Sequence, residues 1–334
     1  MDAVDRRTIS QRNGKHRTAG KSRRLIGPPQ RGFATLAGLA LTLHGGRPGT
    51  DYDAAWWRSV FGLLGECFPG LPGGAATAEA LGFPWADQTT PFTLSEQGRT
   101  VAHVGVLAHP MRLDGRAAVV AGVHAVGTTE AWRRRGLARR LLGEALDWVD
   151  ERFALAKLHT DLPEVYAPHG FRVVPTHRFR TPPQPPAQVQ KRLLQPLRHA
   201  ADADLLRSLL RLRTPASNRC ATADPGWLEL TVAALSGALS SGFWHIESHN
   251  AIVALGEEAG GALILDVIAP EPPPLAVVMG AAGAADRPVL WSFSPELSCD
   301  RAEAIPTPPE AGVLMVRGDW PLGEPFGISP LWEH

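Results

Sequence analysis

The sequence predicts an α/β (α+β) fold of two domains, each a mixed, mostly antiparallel sheet flanked by helices. Two valine-rich runs flank Asp114-Gly115, a dipeptide typical of tight hairpin turns. Residues 133–153 carry apolar side chains at spacings of three and four, which is the period of an amphipathic helix. After a proline-rich segment the element order of the first half recurs, so we interpret the second half as a diverged duplicate of the first.

The proline-rich segment defines the expected domain boundaries. Residues 183–190 lie in the run RTPPQPPAQVQ, whose four prolines favour a stiff extended linker. We therefore expect one domain at 51–182 and a second at 191–334. Residues 1–50 are predicted to be a disordered basic tail, because the first 32 residues hold nine lysines and arginines against two acidic residues.

Composition excludes several classes of protein. Of the 334 residues, 44% are hydrophobic and 20% are charged, which is typical of a soluble globular protein. No apolar run reaches the roughly 18 residues of a membrane-spanning helix, so no membrane partner is expected. Cys67, Cys220 and Cys299 are far apart and odd in number, which argues against a disulfide framework and favours a cytoplasmic protein.

Charge bears on nucleic-acid binding. The chain beyond the tail is mildly acidic, so no nucleic acid is expected at the core. A tail-mediated association with nucleic acid stays open as an alternative that rests on residues 6–31 alone.

Local patterns predict the elements of the first half. Asp53 can cap an amphipathic helix in DYDAAWWRSVFGLLGECF, and GGAATAEALGFPW favours a second, short helix. TPFTLSEQ and the two valine-rich runs beside the hairpin turn predict three antiparallel strands. After the helix at 133–153, we expect a strand in ALAKLHTD, a short helix ending at Gly170 and one strand in FRVVPTHRF.

The second half repeats this order. LRHAADADLLRSLLRLR, GWLELTVAALSGAL and PPLAVVMGAA predict helices, and the stretch from Phe243 predicts a three-strand meander. RPVLWSFS and GVLMVRGDW predict further strands. His245 and His249 have the spacing of helical metal ligands, but they lie on a predicted strand and turn, so no metal site is predicted.

Three arginines precede Gly136, between a valine-rich strand and the long helix. The first turn of a helix has unpaired amide N–H groups, and the helix dipole adds partial positive charge, so this position suits a phosphate. A glycine permits close approach, and guanidinium groups pair with phosphate oxygens. Positive side chains at the N-terminus of a helix interact unfavourably with the helix dipole unless an anion is bound there. The pattern therefore favours a bound anion over a basic helix start that is only solvated.

The stretch Arg133-Arg134-Arg135-Gly136-Leu137-Ala138 resembles the Q/R-x-x-G-x-G/A signature of the GNAT N-acetyltransferase superfamily. Tyr166-Ala-Pro-His-Gly170-Phe171 resembles the later Y-x-x-x-G-F element of that family. The resemblance covers about residues 51–180. A second copy without the arginine–glycine loop is similar to the degenerate second GNAT domain of tandem, Eis-type members.

The resemblance implies acetyl-CoA as the cosubstrate, bound in a cleft between the strand that ends at 126–128 and the next strand. It also implies pairing of pantetheine amides with that strand end and a diphosphate on the amides of the loop. The cofactor-binding residues so implied are Val126, Gly127, Thr128, Arg133, Arg134, Arg135, Gly136, Leu137, Ala138, Arg139, Asp161 and Leu162.

By the same resemblance, Tyr166 is the general acid that protonates the CoA thiolate; the alternative is that its ring only packs over the cosubstrate. The acceptor ammonium must lose a proton, and His124 is a candidate base because the ordinary pKa of histidine suits the task. A histidine on a strand is also commonly a half-buried structural residue. Glu96, Glu130 and the carboxylate of His334 are further candidates for the base.

The predicted function is an acetyl-CoA-dependent N-acetyltransferase that acts on a primary amine of a small molecule or peptide by direct attack in a ternary complex. The alternative from another class is a non-catalytic acyl-CoA-binding sensor or scaffold. The sequence leaves the acceptor and the oligomeric state open. Five aromatic residues either wall the acceptor pocket or belong to the core: Trp56, Trp57, Phe83, Trp85 and Phe92.

Overall fold

The fold consists of two mixed, mostly antiparallel sheets with helices packed against them. A computed structural model of the protein describes residues 32–36, 39–258, 261–284, 287–308 and 312–333. The strands within these ranges are β1 (Gly32–Leu36), β2 (Leu39–His44), β3 (Thr90–Glu96), β4 (Arg99–Leu113), β5 (Arg116–Thr128), β6 (Ala156–Thr160), β7 (Arg172–Val174), β8 (His177–Arg180), β9 (Lys191–Leu193), β10 (Cys220–Thr222), β11 (Phe243–Ile246), β12 (Ala251–Glu258), β13 (Gly261–Ile268), β14 (Leu290–Trp291), β15 (Glu303–Pro306) and β16 (Val313–Arg317). The helices are α1 (Ala54–Cys67), α2 (Leu71–Ala80), α3 (Trp85–Gln88), α4 (Leu137–Asp150), α5 (Pro163–Tyr166), α6 (Ala200–Leu212), α7 (Trp227–Leu235), α8 (Ala238–Ser241) and α9 (Leu275–Ala282).

The two sheets have corresponding strand orders. The first runs β1-β2-β3-β4-β5-β6-β16-β7, with β10 added beside β4. Written in the matching direction, the second runs β9-β11-β12-β13-β14-β8-β15. Among the described strands, each sheet has one parallel pair, β5 with β6 and β13 with β14, at the same place in that order. This shared topology supports the interpretation of the second half as a duplicate.

The two halves exchange one strand each. β16 comes from the second half and lies between β6 and β7 of the first sheet. β8 comes from the first half and lies between β14 and β15 of the second sheet. The described residues consequently group into one compact unit, and the expected linker at 183–190 does not mark a boundary between the sheets.

The exchange begins at Pro175, where one continuous strand was expected. The run FRVVPTHRF instead forms β7 and β8, which belong to different sheets. A proline has no backbone N–H to donate within a sheet, so a strand is interrupted there. The prediction of a single strand is therefore wrong at this point.

The hairpin turn and the first helix are confirmed. Asp114 has φ 50° and Gly115 has φ 76°, the left-handed conformations that a two-residue type I′ turn requires. The Asp53 carboxylate accepts a hydrogen bond of 2.8 Å from the amide of Trp56 and caps α1. The helix expected from residue 133 begins later, at Leu137, because the chain before it turns through left-handed residues.

The prediction of a disordered tail up to residue 50 is wrong for residues 32–36 and 39–44, which form β1 and β2. β2 pairs with β3, and Leu41 is fully buried. The apolar stretch after the basic segment therefore adds to the first sheet. The basic residues up to Arg31 lie outside the described residues.

Apolar clusters bind the helices to the sheets. One packs α4 against β3, β4, β5 and β6. Another joins α6, α7 and α9 to the second sheet, and it includes Leu314 and Val316 of the exchanged strand. Of the helices described, none is both long and apolar enough to cross a bilayer.

Candidate functional site

β5 and β6 separate toward their carboxyl ends. They pair only where Ala121 and Gly122 meet β6, and β5 continues to Thr128 without pairing to β6. The register between β4 and β5 shifts just beyond His124, and Ala125 has φ 50° there, which marks a bulge. A bulge bends its strand and turns it away from its neighbour. A cleft therefore opens in the middle of the first sheet.

A cavity of 350 Å³ lies at the end of β5, against the first turn of α4. Gly136, with φ 74°, precedes this helix and provides no side-chain cap. The amide of Arg140 donates to the carbonyl of Gly136 at 3.0 Å, so the amides of residues 137–139 precede the first helical hydrogen bond. We call this the loop cavity; Val126, Gly127, Thr128, Gly136, Leu137 and Ala138 line it.

Two of the three consecutive arginines bond to the protein backbone. Arg133 Nε donates to the carbonyl of Thr128 at 3.1 Å. Arg135 Nη2 donates to the carbonyl of Ala131 at 3.1 Å, and its guanidinium lies 4.7 Å from the centre of the Trp132 ring. Arg135 does not line the loop cavity, so the stacked guanidinium supports the loop from outside.

The positive rim of the loop cavity comes from Arg133, Arg134 and Arg139. Arg134 has φ 60°, a left-handed conformation that is uncommon for a residue other than glycine. Asp161 and Leu162 do not line the cavity, and the side chain of Leu162 is exposed. The structure thus brings together the strand end and the loop, but not the flanking pair at 161–162.

A second cavity of 550 Å³ adjoins the loop cavity, and we call it the apolar cavity. Both cavities are lined by Cys67 and Phe68, at the end of α1. The apolar cavity extends from there toward α7, and most of its wall is hydrophobic. The aliphatic and aromatic wall includes Leu71, Trp85, Leu107, Leu228, Val232 and Leu235, and the polar lining consists of Gln88, His124, Thr231 and Glu333.

His124 lies in the wall of the apolar cavity. Its Nε2 is 2.9 Å from the hydroxyl of Thr89, and its ring meets Trp85 edge to face at 5.1 Å. A Cβ at Gly105 would lie 2.5 Å from His124 Nε2, so the glycine makes room for the ring. Burial, with a smaller contribution from His103, lowers the pKa of His124 to about 3. The imidazole is therefore neutral at pH 7.

Tyr166 ends α5 and lines neither cavity. Its ring packs edge to face against Phe171 at 6.2 Å. Burial raises the pKa of its hydroxyl. A hydrogen bond with the side chain of Thr160 has the opposite, smaller effect, so the pKa lies above its ordinary value. The hydroxyl consequently keeps its proton at neutral pH.

Most of the other candidates for the base and for the acceptor pocket do not line either cavity. Glu96 and Glu130 line neither cavity, and His334 lies outside the described residues. Of the five aromatic residues weighed for the acceptor pocket, Trp85 lines the apolar cavity, and the others do not. Phe92, for example, is buried in the cluster beneath α4.

The chain after β16 returns to the apolar cavity. Trp332 is fully buried, and its Nε1 donates to Asp266 Oδ2 at 3.1 Å on β13. Lys157 Nζ, on β6, donates to the carbonyl of Trp332 at 2.8 Å. The next residue, Glu333, lines the cavity, with its Oε2 2.8 Å from His159 Nδ1. Contacts to both sheets therefore hold the chain next to Glu333, and His159 contacts its carboxylate.

In the second sheet, the place that corresponds to the cleft lies beyond the β13–β14 pair, and side chains of the protein fill it. Trp332 bonds to Asp266 there and packs against Phe293 at 5.2 Å. Arg213 pairs with both Asp266 and Glu229 at 2.7 Å, and all three side chains are buried. No arginine–glycine loop precedes α9, which follows Pro274. This filled arrangement contrasts with the open cleft of the first sheet.

Sequence reasoning missed Cys67, Phe68 and Glu333 as site residues. Cys67 lies at the end of a predicted helix, and a Cβ at Gly127 would lie 3.0 Å from its Sγ. Burial raises the pKa of the Cys67 thiol, so it is a neutral part of the wall. Glu333 is far from the other residues in sequence, and no local pattern signals its approach to the cavity.

Comparison with known proteins agrees with this geometry. The acetyltransferase (GNAT) domain family matches residues 51–174. No curated protein matches the sequence. One similar solved structure is a probable N-acyltransferase from Enterococcus faecalis, with a TM-score of 0.54 and 12% identity over 83% of this chain and 72% of that one. Another is Eis1 from Mycobacterium abscessus, with a TM-score of 0.51 and 15% identity over 82% of this chain and 73% of that one.

A GCN5-related N-acetyltransferase from Kribbella flavida is also similar, with a TM-score of 0.48 and 15% identity over 83% of this chain and 70% of that one. At identities this low, the similarity to the Enterococcus faecalis and Mycobacterium abscessus structures shows the fold and nothing finer. The matched family spans the diverging strands, the bulge and the arginine–glycine loop. Residues 51–174 of this chain therefore form an acetyltransferase domain of the GNAT family.

Proposed function

We propose that the protein is an acetyl-CoA-dependent N-acetyltransferase, which acetylates a primary amine of a small molecule or peptide by direct attack in a ternary complex. The GNAT domain supports acyl-CoA-dependent acetyl transfer. The observation that carries the finer proposal is the contact between the two cavities at Cys67 and Phe68. A cosubstrate in one cavity and an acceptor in the other would meet at that boundary.

The loop cavity has the donors that a CoA diphosphate needs. Amide N–H groups of the first turn of α4 and the guanidiniums of Arg134 and Arg139 would hold the phosphate oxygens. The part of β5 that does not pair with β6 offers backbone groups for the pantetheine amides. Acetyl-CoA bound there would supply an acetyl thioester to the boundary with the apolar cavity.

The proposed reaction balances with two proton movements. The acceptor ammonium loses a proton, its nitrogen attacks the acetyl carbonyl carbon, a C–N bond forms and the C–S bond breaks. The departing CoA thiolate takes up a proton. We propose Tyr166 as the donor, because burial keeps its hydroxyl protonated at neutral pH. Its hydroxyl bonds to the side chain of Thr160 at the end of β6, so the proposal has the CoA sulfur reach Tyr166 beside that strand.

His124 fits the role of base less well than the sequence suggests. A group with a pKa of about 3 holds a proton weakly at neutral pH, so it drives proton abstraction poorly. We propose that His124 acts as a neutral hydrogen-bonding group toward the acceptor, held by Thr89 and Trp85.

A non-catalytic acyl-CoA-binding protein is the second candidate. The position of Tyr166 outside both cavity walls favours it, because catalysis needs an acid near the thiolate. Binding without turnover of any amine would identify this alternative.

Thermal denaturation with acetyl-CoA tests the cosubstrate. Acetyl-CoA should raise the melting temperature of the wild type, since a ligand that binds only the folded state stabilises it. Gly136→Glu should abolish the shift, because it places a carboxylate in the anion site at a residue with φ 74°. Gly143→Glu is the control, because it adds the same side chain in open space on α4; this variant should keep the thermal shift.

A wild type without a shift at saturating acetyl-CoA would exclude the proposed cosubstrate. A CoA-release assay with a panel of amines then tests transfer. If Tyr166→Phe turns over a verified amine at the wild-type rate, Tyr166 is not the acid.

A further inference from the structure

The apolar cavity has a composition that restricts what it can bind. Its wall is mostly aliphatic and aromatic, and two exposed hydrophobic residues, Phe68 and Leu235, lie on it. Pockets of this kind bind ligands by burying apolar surface, while a few polar groups fix the orientation. A ligand that fills this cavity therefore presents a hydrophobic body to most of the wall.

One acidic side chain faces this hydrophobic wall. Among the described residues that line the cavity, Glu333 is the one with a carboxylate, and burial keeps His124 neutral. Trp332 anchors it to Asp266 on one side and to Lys157 on the other. A carboxylate so positioned in an apolar cavity complements a single cation.

Basic side chains of another element, β6, also face Glu333. His159 Nδ1 contacts its Oε2, and Lys157 lies close enough for the two charges to interact. Burial lowers the pKa of Lys157 to about 7, so its positive charge is partial at neutral pH. Glu333 Oε1 accepts no hydrogen bond from the described residues, which leaves one carboxylate oxygen for a ligand.

We propose that the acceptor is a primary amine on an apolar body, with its ammonium paired to Glu333 and its aliphatic or aromatic part against α7 and Trp85. This inference rests on the proposed function and names the class of its acceptor. A polyamine or an aminoglycoside carries several cations or hydroxyls, and an apolar wall leaves those groups without partners at a large desolvation cost.

Binding to the full-length protein without acetyl-CoA tests the class of acceptor directly. Tryptophan fluorescence, with Trp85 in the wall, or calorimetry gives the dissociation constants of phenethylamine, hexylamine, spermidine and kanamycin. Phenethylamine and hexylamine should bind at least about tenfold more tightly than spermidine and kanamycin. Phenethyl alcohol, which has the same body without the amine, should bind about tenfold more weakly than phenethylamine.

Matched variants test the two parts of the site. Glu333→Gln should weaken phenethylamine about tenfold and leave phenethyl alcohol unchanged, whereas Glu151→Gln, at an exposed site, should alter neither. Leu235→Ser should weaken both ligands, and Leu212→Ser, at an exposed leucine outside the cavity, should weaken neither. Because phenethyl alcohol reports on the cavity itself, a Glu333 variant that failed to fold would be recognised by loss of both ligands.

Each failure has its own signature. Tighter binding of spermidine or kanamycin, or no binding of any of the four amines, would overturn the inference. An unchanged affinity of Glu333→Gln for phenethylamine would remove Glu333 from the site. A wild type whose melting temperature does not change with acetyl-CoA would overturn the proposed function alone, because the amine-binding measurements contain no acetyl-CoA.

Discussion

Lys157 Nζ donates a hydrogen bond of 2.8 Å to the carbonyl of Trp332, across the junction between the two sheets. Lys157 belongs to β6 of the first sheet, and the indole of Trp332 bonds to Asp266 of the second. Both residues are almost completely buried. An ammonium group in such surroundings loses hydration, which lowers the pKa of Lys157 to about 7.

Replacing Lys157 should change how stability depends on pH. The pKa of Lys157 is about 7 in the folded protein and 10.5 when unperturbed, so the unfolded state binds more protons between these values. The free energy of unfolding of the wild type should therefore rise by about 1–2 kcal/mol from pH 7 to about pH 8.5. Lys157→Met should lack this increment in urea unfolding; an equal rise in both proteins would contradict the assignment.

Three buried histidines should make the protein sensitive to acid. Burial lowers the pKa of His103 to about 4, that of His124 to about 3 and that of His109 well below its ordinary value. Stability is then lost as pH falls from about 6.5, by up to about 1.4 kcal/mol per pH unit for each histidine. His124→Asn should reduce this slope in urea unfolding, whereas the exposed His249→Asn should preserve it.

The cap of α1 should contribute measurably to stability. Asp53→Ala removes the acceptor of the Trp56 amide and should cost about 1 kcal/mol, the usual value of an N-cap. Asp51→Ala is a matched control, because Asp51 lies in the preceding turn and caps nothing there. Thermal melts of the two variants should differ, and equal melting temperatures would show that the cap contributes little.

The buried Arg213 should be costly to replace alone. Arg213→Met leaves the carboxylates of Glu229 and Asp266 without their cation and should destabilise the protein by about 3–5 kcal/mol in urea unfolding. Adding Glu229→Gln and Asp266→Asn to Arg213→Met should recover part of that loss. A triple variant no more stable than the single one would show that packing, rather than charge, dominates.

Removing the exchanged strand β16 should impair the GNAT domain at residues 51–174, although β16 comes from the other half of the chain. A chain ended after Thr307 lacks β16, so β6 and β7 lose the strand between them. We expect this chain to show no thermal shift with acetyl-CoA. A chain without residues 1–31 is the control, because the basic tail is predicted to be dispensable for the core. A full shift in the shortened chain would refute the dependence on β16.

The sequence predicts much of the fold because local patterns determine it. The turn at Asp114-Gly115, the cap at Asp53 and the loop before α4 each depend on residues close together in the chain. The strand exchange depends on pairing between β6 and β16, which are far apart in sequence and have no local signature. A single sequence therefore predicts the elements but not which sheet receives each one.

The site divides in the same way. The strand end and the arginine–glycine loop are close together in sequence, and the resemblance to GNAT proteins predicts them as candidate binding residues; the structure places both on one cavity. The apolar cavity is assembled from α1, α7 and Glu333, which meet only through tertiary packing. Burial also decides the pKa of His124, and sequence alone gives its ordinary value rather than one of about 3.

The exchange of β8 and β16 has a consequence for folding during synthesis. The ribosome makes β16 after every other described strand of either sheet, so the first sheet stays incomplete until then, with β6 and β7 apart. The second half in turn uses β8, which is made before its own strands. All strands of the second sheet are therefore made before β16, so the second sheet can form first, and the first sheet should be completed in a last step when β16 inserts between β6 and β7.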